Sequence, residues 1–160
     1  MVARFLAGRD QDVFRELYRC HTPALYLLAL RLLGGVQQDA EDAVQEVWIR
    51  AAGAIGRFRW ESSLRTWLAG IAVNCCREIL RDRTPQGEPA PEEAIQPRSL
   101  DLEDLVRRLP DGCRQILVLH DIEGYTHQEI GALIGIAEGT SKHQLFRARG
   151  KLREWLAPRG

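Results

Sequence analysis

The sequence predicts an all-α protein built as two small helical domains joined by a flexible acidic linker. Three observations carry this. Apolar residues recur at helical spacing through almost every periodic segment, and no strand-like alternation persists. The stretch TPQGEPAPEEAIQP, Thr84–Pro97, breaks that period with proline, glycine and glutamate and few large apolar residues, which is linker chemistry. Each flanking segment is short enough that only a compact helical bundle can bury its apolar stripes. The expected boundaries are 1–84, 85–99 for the linker, and 100–160.

The 160-residue chain has no formal net charge, but its charge is segregated. Residues 85–104 hold six acids and one base, whereas residues 140–160 hold six bases and one acid. A neutral chain can thus carry a local nucleic-acid footprint. No apolar run is long enough to span a bilayer, and the N-terminal MVARFLAGRDQDVF has too short an apolar stretch for a signal peptide. The expectation is a soluble cytoplasmic protein without membrane insertion. The cysteines Cys20, Cys75, Cys76 and Cys113 form no CxxC pair and are expected to serve as small apolar residues. Cys20-His21 has metal-ligand chemistry but no second pair at ligand spacing, so neither metal nor cofactor is expected. Phosphate-cradling glycine loops, HExxH and GxSxG are absent from the sequence, which predicts no catalytic residues and a protein that is not an enzyme.

In the first domain, helices are expected near 9–19, 22–34, 38–54 and 62–83, with Gly34-Gly35 stopping the second. The helix DAEDAVQEVWIRAA buries Ala40, Val44, Val47 and Ala51 on one face. Asp39, Asp42, Gln45, Glu46 and Ile49 fall opposite. That acidic face would repel phosphate, yet it carries a large apolar residue, the make-up of a protein-docking surface. The next helix differs. Phe58, Arg59 and Trp60 precede Ser62-Ser63, either of which can cap it. Leu64, Leu68, Ile71, Cys75 and Ile79 are expected to face the core. Thr66, Gly70, Val73, Asn74, Arg77 and Arg81 are expected to face away. Aromatics and arginines ahead of a basic, Asn-bearing face suit unstacked bases as well as phosphates.

In the second domain, helices are expected near 100–108, 111–122, 126–134 and 138–157. Thr126-His-Gln-Glu129 is a capping box. A short capped helix, a turn at IAE and a longer basic helix make a helix-turn-helix, whose second helix enters the DNA major groove. At 100° per residue, Ser141, Leu145, Ala148, Leu152, Trp155 and Leu156 share the core side. Thr140, His143, Arg147 and Gly150 lie opposite, flanked by Lys142, Gln144 and Phe146. Arginine can pair bidentately with guanine and glutamine with adenine, while Lys142, Lys151 and Arg153 suit phosphates.

Four blocks in order now carry a resemblance: FRELYRCHTPALYLLALRLLGG; DAEDAVQEVWIRA; F-x-x-x-SSLRTWLAGIAVNCCREILR; and LP-x-x-CRQILVLHDIEGYTHQEIGALIGIAEGTSKHQLFRARGKLR. The chain resembles an extracytoplasmic-function sigma factor of the sigma-70 family over nearly its whole length. The resemblance implies a sigma-2 domain over 1–84 and a sigma-4 domain over 100–160. It implies a specificity subunit of RNA polymerase that initiates transcription by recognising −10 and −35 promoter elements. Its partners would be core RNA polymerase (the β′ clamp and the β subunit), promoter DNA that is single-stranded at −10 and duplex at −35, and an anti-sigma factor. Asp39, Asp42, Gln45, Glu46 and Ile49 would then dock on the clamp. Phe58, Arg59, Trp60, Ser63, Asn74, Arg77 and Arg81 would recognise and help open the −10 element. Thr140, Lys142, His143, Gln144, Phe146 and Arg147 would read the −35 element.

Several positions depart from the family pattern. Ala137 stands where a capping serine is common, with Glu138 beside it to favour the positive helix end. TSKHQL replaces the common TVKSRL, so that Ser141 takes an apolar core position and His143-Gln144 replace Ser-Arg. His127 stands where an acid is common. From the residues alone, a stand-alone helix-turn-helix regulator is the rival. It would need no polymerase-docking face, and Asp39–Ile49 and Phe58–Arg83 argue against it.

Overall fold

The computed structural model describes residues 11–57, 63–83 and 101–157. Among these, every regular element is helical. They are α1 (Gln11–Leu32), α2 (Gln37–Ala54), a 3-10 turn (Ile55–Arg57), α3 (Leu64–Arg83), α4 (Leu102–Arg107), α5 (Asp111–Leu117), a π turn (Val118–Ile122), α6 (His127–Ile134) and α7 (Glu138–Leu156). The described residues form two compact units: 11–30 with 36–79, and 31–35 with 80–83 and 101–157. The linker expected at 85–99 lies outside the described residues, as do Phe58, Arg59, Trp60 and Ser62.

In the first unit, α1 is one continuous helix where two were expected, and it runs through Pro23. Proline has no N–H for the Arg19 carbonyl, a cost of about 3 kcal/mol in a helix interior. Two things offset it. Pro23 is exposed, so water can reach the break. One unbroken helix also keeps Val13, Leu17, Leu25, Leu28 and Ala29 on a single buried stripe. The chain then leaves α1 through Gly34 and Gly35, at φ 74° and 86°, conformations that glycine adopts without Cβ strain.

The expected core positions of α2 are all buried, joined by Ala43 and Trp48. Trp48 meets Phe14 edge-on at 5.7 Å and Tyr18 at 5.3 Å, and its Nε1 donates to Thr22 Oγ1 at 3.0 Å. Trp48→Phe keeps the aromatic packing but removes that bond and some volume. A loss of about 1–2 kcal/mol is expected in urea unfolding.

In the second unit, α7 packs on α4, α5 and α6. Leu105, Ile116, Leu119, Ile130, Leu145 and Ala148 form its deepest layer. Asp101 caps α4 by accepting from the Glu103 amide at 3.1 Å. The predicted capping box of α6 is present in both directions, Glu129 N to Thr126 Oγ1 at 3.1 Å and Thr126 N to Glu129 Oε1 at 3.2 Å. Gly135 closes α6 at φ 74°, in the left-handed region. The segment expected as one helix over 111–122 changes pitch at Val118. There the Glu123 amide reaches back to the Val118 carbonyl at 2.9 Å, a π-type bond.

Candidate functional site

Three surfaces carry the candidate residues, each set by a different helix. On α2, the residues opposite the buried stripe are Asp42, Gln45 and Ile49, all exposed, with Ile49 at 61%. Asp39 is half-buried on the same helix. Asp42 accepts from Gln38 at 3.0 Å. Glu46 is placed differently: its carboxylate takes Arg50 Nε at 2.9 Å, and Arg50 also grips Glu78 of α3. Those two carboxylates raise the Arg50 pKa above its ordinary value. Arg50 therefore ties α2 to α3, and Glu46 braces it from one turn away on α2. Cys75 lies beside this network, and burial pushes its thiol up to about 11, which keeps it unreactive.

Beside Gln45 and Ile49 opens a groove of about 600 Å³ between α2 and α1, lined also by Tyr18, Tyr26 and Glu41. Glu41 and Tyr18 were not among the expected site residues. A signal for them exists in the sequence. Phe14, Tyr18, Thr22 and Tyr26 are one i, i+4 row, and Glu41, Gln45 and Ile49 are another, so each row lines one wall.

The second surface is α3. Ser63 caps it, its Oγ accepting from the Thr66 amide at 3.1 Å and lying 2.9 Å from the Thr66 hydroxyl. This expected −10 contact thus has a structural role at the helix start. Asn74 and Arg81 are exposed and Arg77 is half-buried. Val73, expected to face away, is 1% exposed, whereas Ile71 and Ile79 are only half-buried. From Leu68 to Cys76 apolar and small residues surround most of the helix, so its period alone does not single out which sector is buried, and Ala69, Ala72 and Val73 lie inward.

The third surface is the start of α7. Ser141, Leu145, Ala148 and Leu152 are buried as the periodicity requires, Trp155 is half-buried and Leu156 is 46% exposed near the helix end. Thr140, Lys142, His143, Phe146 and Arg147 are exposed, and Phe146 stands 71% exposed. Lys142 lies 3.5 Å from Glu138, a weak surface pair. Gln144 is placed apart from these residues. It is half-buried, and its Oε1 accepts from the Cys113 thiol of α5 at 3.2 Å. Burial raises the Cys113 pKa despite Arg147 and Lys151 nearby, so the thiol keeps the proton it donates. Ala137 occupies the N-cap of α7 without a side-chain bond, and Glu138 supplies an acid to the first turn.

Two family departures prove to be partners. His127 Nδ1 lies 2.8 Å from Ser141 Oγ, linking the first residue of α6 to the fourth of α7. A buried serine in an apolar row is satisfied because the other helix brings a histidine to it.

Comparison with known proteins matches residues 17–86 to sigma-70 region 2 and residues 99–152 to sigma-70 region 4. The chain is 34% identical to the ECF RNA polymerase sigma factor SigM of Mycobacterium tuberculosis, over 98% of this chain and 83% of the relative. It is 32% identical to the ECF RNA polymerase sigma factor SigW of Bacillus subtilis, over 92% and 90%. Among solved structures, it is similar to the sigma factor RpoE of Bartonella quintana in complex with the anti-sigma factor NepR. That match has 28% identity and a TM-score of 0.68, over 89% of this chain and 96% of that one. CnrH in complex with the cytosolic domain of CnrY is similar at 26% identity and a TM-score of 0.64, over 97% and 94%.

Proposed function

The chain belongs to the sigma-70 family, in its extracytoplasmic-function group, and from that premise we propose how its three surfaces divide the work of promoter recognition. As a sigma factor it directs RNA polymerase to specific promoters and initiates transcription there. The match of 17–86 to region 2 sets aside a stand-alone helix-turn-helix regulator, which has no use for such a unit.

The α2 face of Asp42, Gln45 and Ile49, with the groove beside it, docks on the β′ clamp of the core enzyme. Its acids suit a basic partner, and Ile49 supplies the apolar anchor. Asp39 extends this face, and Glu46 braces the Arg50 that joins α2 to α3. The exposed Asn74 and Arg81 of α3, with Arg77, follow the opened strand at −10, together with Phe58, Arg59 and Trp60. Capture of an unstacked base there favours melting. The α7 start reads the −35 duplex through His143, Phe146 and Arg147, with Thr140 and Lys142 at its edge. Gln144, engaged with Cys113, supports this helix and reaches a base only by leaving that contact.

The single observation that carries the −35 assignment is the exposed set on α7, opposite the buried Ser141, Leu145, Ala148 and Leu152 and at the start of the second helix of a helix-turn-helix. Recognition belongs to this chain and the chemistry to the polymerase, so the protein works as a specificity subunit in the cytoplasm. Two weak DNA grips on one polymerase gain from effective concentration, which explains why small units of no net charge suffice. The similar sigma factor RpoE of Bartonella quintana is bound to the anti-sigma factor NepR, and this chain takes an anti-sigma factor likewise.

Run-off transcription with purified core polymerase, on templates randomised at −35, tests the assignment. A defined −35 sequence should be selected, and failure to select one would sink it. Arg147→Ala should relax selection at one base pair by about 1–3 kcal/mol, while Lys142→Ala should weaken all sequences alike and lower the salt slope by about one.

A further inference from the structure

The His127–Ser141 bond is one link in a longer chain of contacts. The His127 ring stacks on the His120 ring of the π turn, with centroids 4.3 Å apart and 16° between planes. His120 Nδ1 lies 2.8 Å from Asp121 Oδ1. Asp121 in turn receives Arg149 Nε at 3.1 Å and Nη2 at 2.7 Å. The chain leaves α7 at Ser141 and returns to it at Arg149, about 12 Å further along by the helical rise. Lys142, His143, Phe146 and Arg147 all lie between these two anchor points. His120 and Asp121 both sit on the π turn, whose i→i+5 bonding replaces the regular α pattern there.

We propose that Ser141–His127–His120–Asp121–Arg149 is a proton-sensitive clamp that positions the base-reading half of α7, so that acidification loosens its sequence discrimination. The proposal rests on the assignment of α7 to −35 DNA. His120 and His127 are positioning residues: neither is among the residues assigned to the bases.

The charges around His127 set the sign. From α7, Lys142 and Arg149 face it as cations and Glu138 as an anion; from the π turn comes His120, itself paired with Asp121. Glu129 on its own helix is engaged in the capping box. Burial first, then His120, Lys142 and Arg149, hold the His127 imidazole below its ordinary value, with Glu138 opposing. A depressed histidine contributes its stabilisation fully above the ordinary 6.5 and loses it as pH falls through the lowered value. Protonation of His127 places a cation in the stack, against the His120 ring and beside Lys142 and Arg149, and the clamp opens there. The Ser141 hydroxyl can accept from a protonated ring, so the stack, not that bond, is the element that fails.

Holoenzyme assembled with the full chain tests this on −35 duplexes selected at about pH 7.5 and on scrambled versions. The ratio of cognate to scrambled affinity should fall about fivefold between about pH 7.5 and about pH 5.5. His127→Gln, which can still bond Ser141 but cannot charge, should give a flat ratio. General acidification adds positive charge and strengthens binding to any DNA, so a falling ratio is specific to the clamp. Proton–nitrogen NMR of the full chain gives a readout free of DNA. The backbone amides of 142–147 should titrate with the His127 ring, and His120→Phe, which keeps a stacking ring without its charge, should move that midpoint upward. Amides that ignore the His127 titration, or equal pH profiles for wild type and His127→Gln, would overturn the clamp. If the amides follow His127 but no duplex is preferred at any pH, the −35 assignment falls and positioning of α7 stands.

Discussion

Replacing Gly131 by alanine is expected to destabilise the second unit by about 3 kcal/mol, the upper range for forcing a methyl group into closed space. A Cβ built at Gly131 would lie 2.6 Å from the Ile136 carbonyl oxygen. That oxygen belongs to the backbone of the turn between α6 and α7, whose path is also held by the Gly135 and Ile136 amides bonding to the Gly131 carbonyl at 2.9 and 3.1 Å. No side-chain rotation relieves the contact, so the turn must open and the angle between the two helices must change. DNA selection at −35 should be lost with stability. Gly150→Ala is the matched control. It sits inside α7 with nothing within 4 Å of its Cβ, so it should stabilise by up to about 1 kcal/mol. Circular dichroism in urea on the full chain separates the two. Equal midpoints for Gly131→Ala and wild type would show that the turn is not close-packed.

The second large effect is expected at the polymerase face. Asp42→Arg combined with Ile49→Glu should weaken binding to core enzyme about a hundredfold, because it reverses a charge and removes the apolar anchor together. Both side chains are exposed, so the melting transition should move by no more than about 0.5 kcal/mol. Transcription should fall at every promoter alike, unlike the sequence-dependent loss from Arg147→Ala. Fluorescence titration of core polymerase with labelled protein measures it. Undiminished affinity would place the docking surface elsewhere. Glu46→Gln is expected to act differently. It releases Arg50 from one of its two carboxylates and should lower stability, but it leaves the exposed docking face in place.

Much of the site was legible because helices advertise themselves locally. The α6 capping box, the stop at Gly34-Gly35 and the buried stripe of α7 follow from neighbours no more than four residues apart. The same locality explains the misses. The break expected at Cys20-His21 does not exist, because the stripe from Val13 to Ala29 continues through it, and burial along that stripe outweighs the amide absent at Pro23. Val73 looks like a surface residue only if Ile71 is taken as core. On a helix apolar around most of its circumference, the neighbours decide which sector is buried.

What the sequence determined by itself is the all-α class, the capping box of α6, the serine cap of α3, and which side of α2 and α7 is buried. These follow from a 3.6-residue period and from side chains bonding to amides within the same turn. Only the tertiary structure decided which polar residues on the open faces are available to a partner. Gln144 meets Cys113 across 31 residues, Arg50 draws Glu46 toward Glu78 across 28, and Ser141 finds His127 across 14. Periodicity fixes a side chain's direction about its own helix axis but carries no information about what another helix places opposite it. For that reason the basic helix showed DNA-reader chemistry in its own residues, while the imidazole clamp behind it became visible only once α6 and the π turn were packed against it.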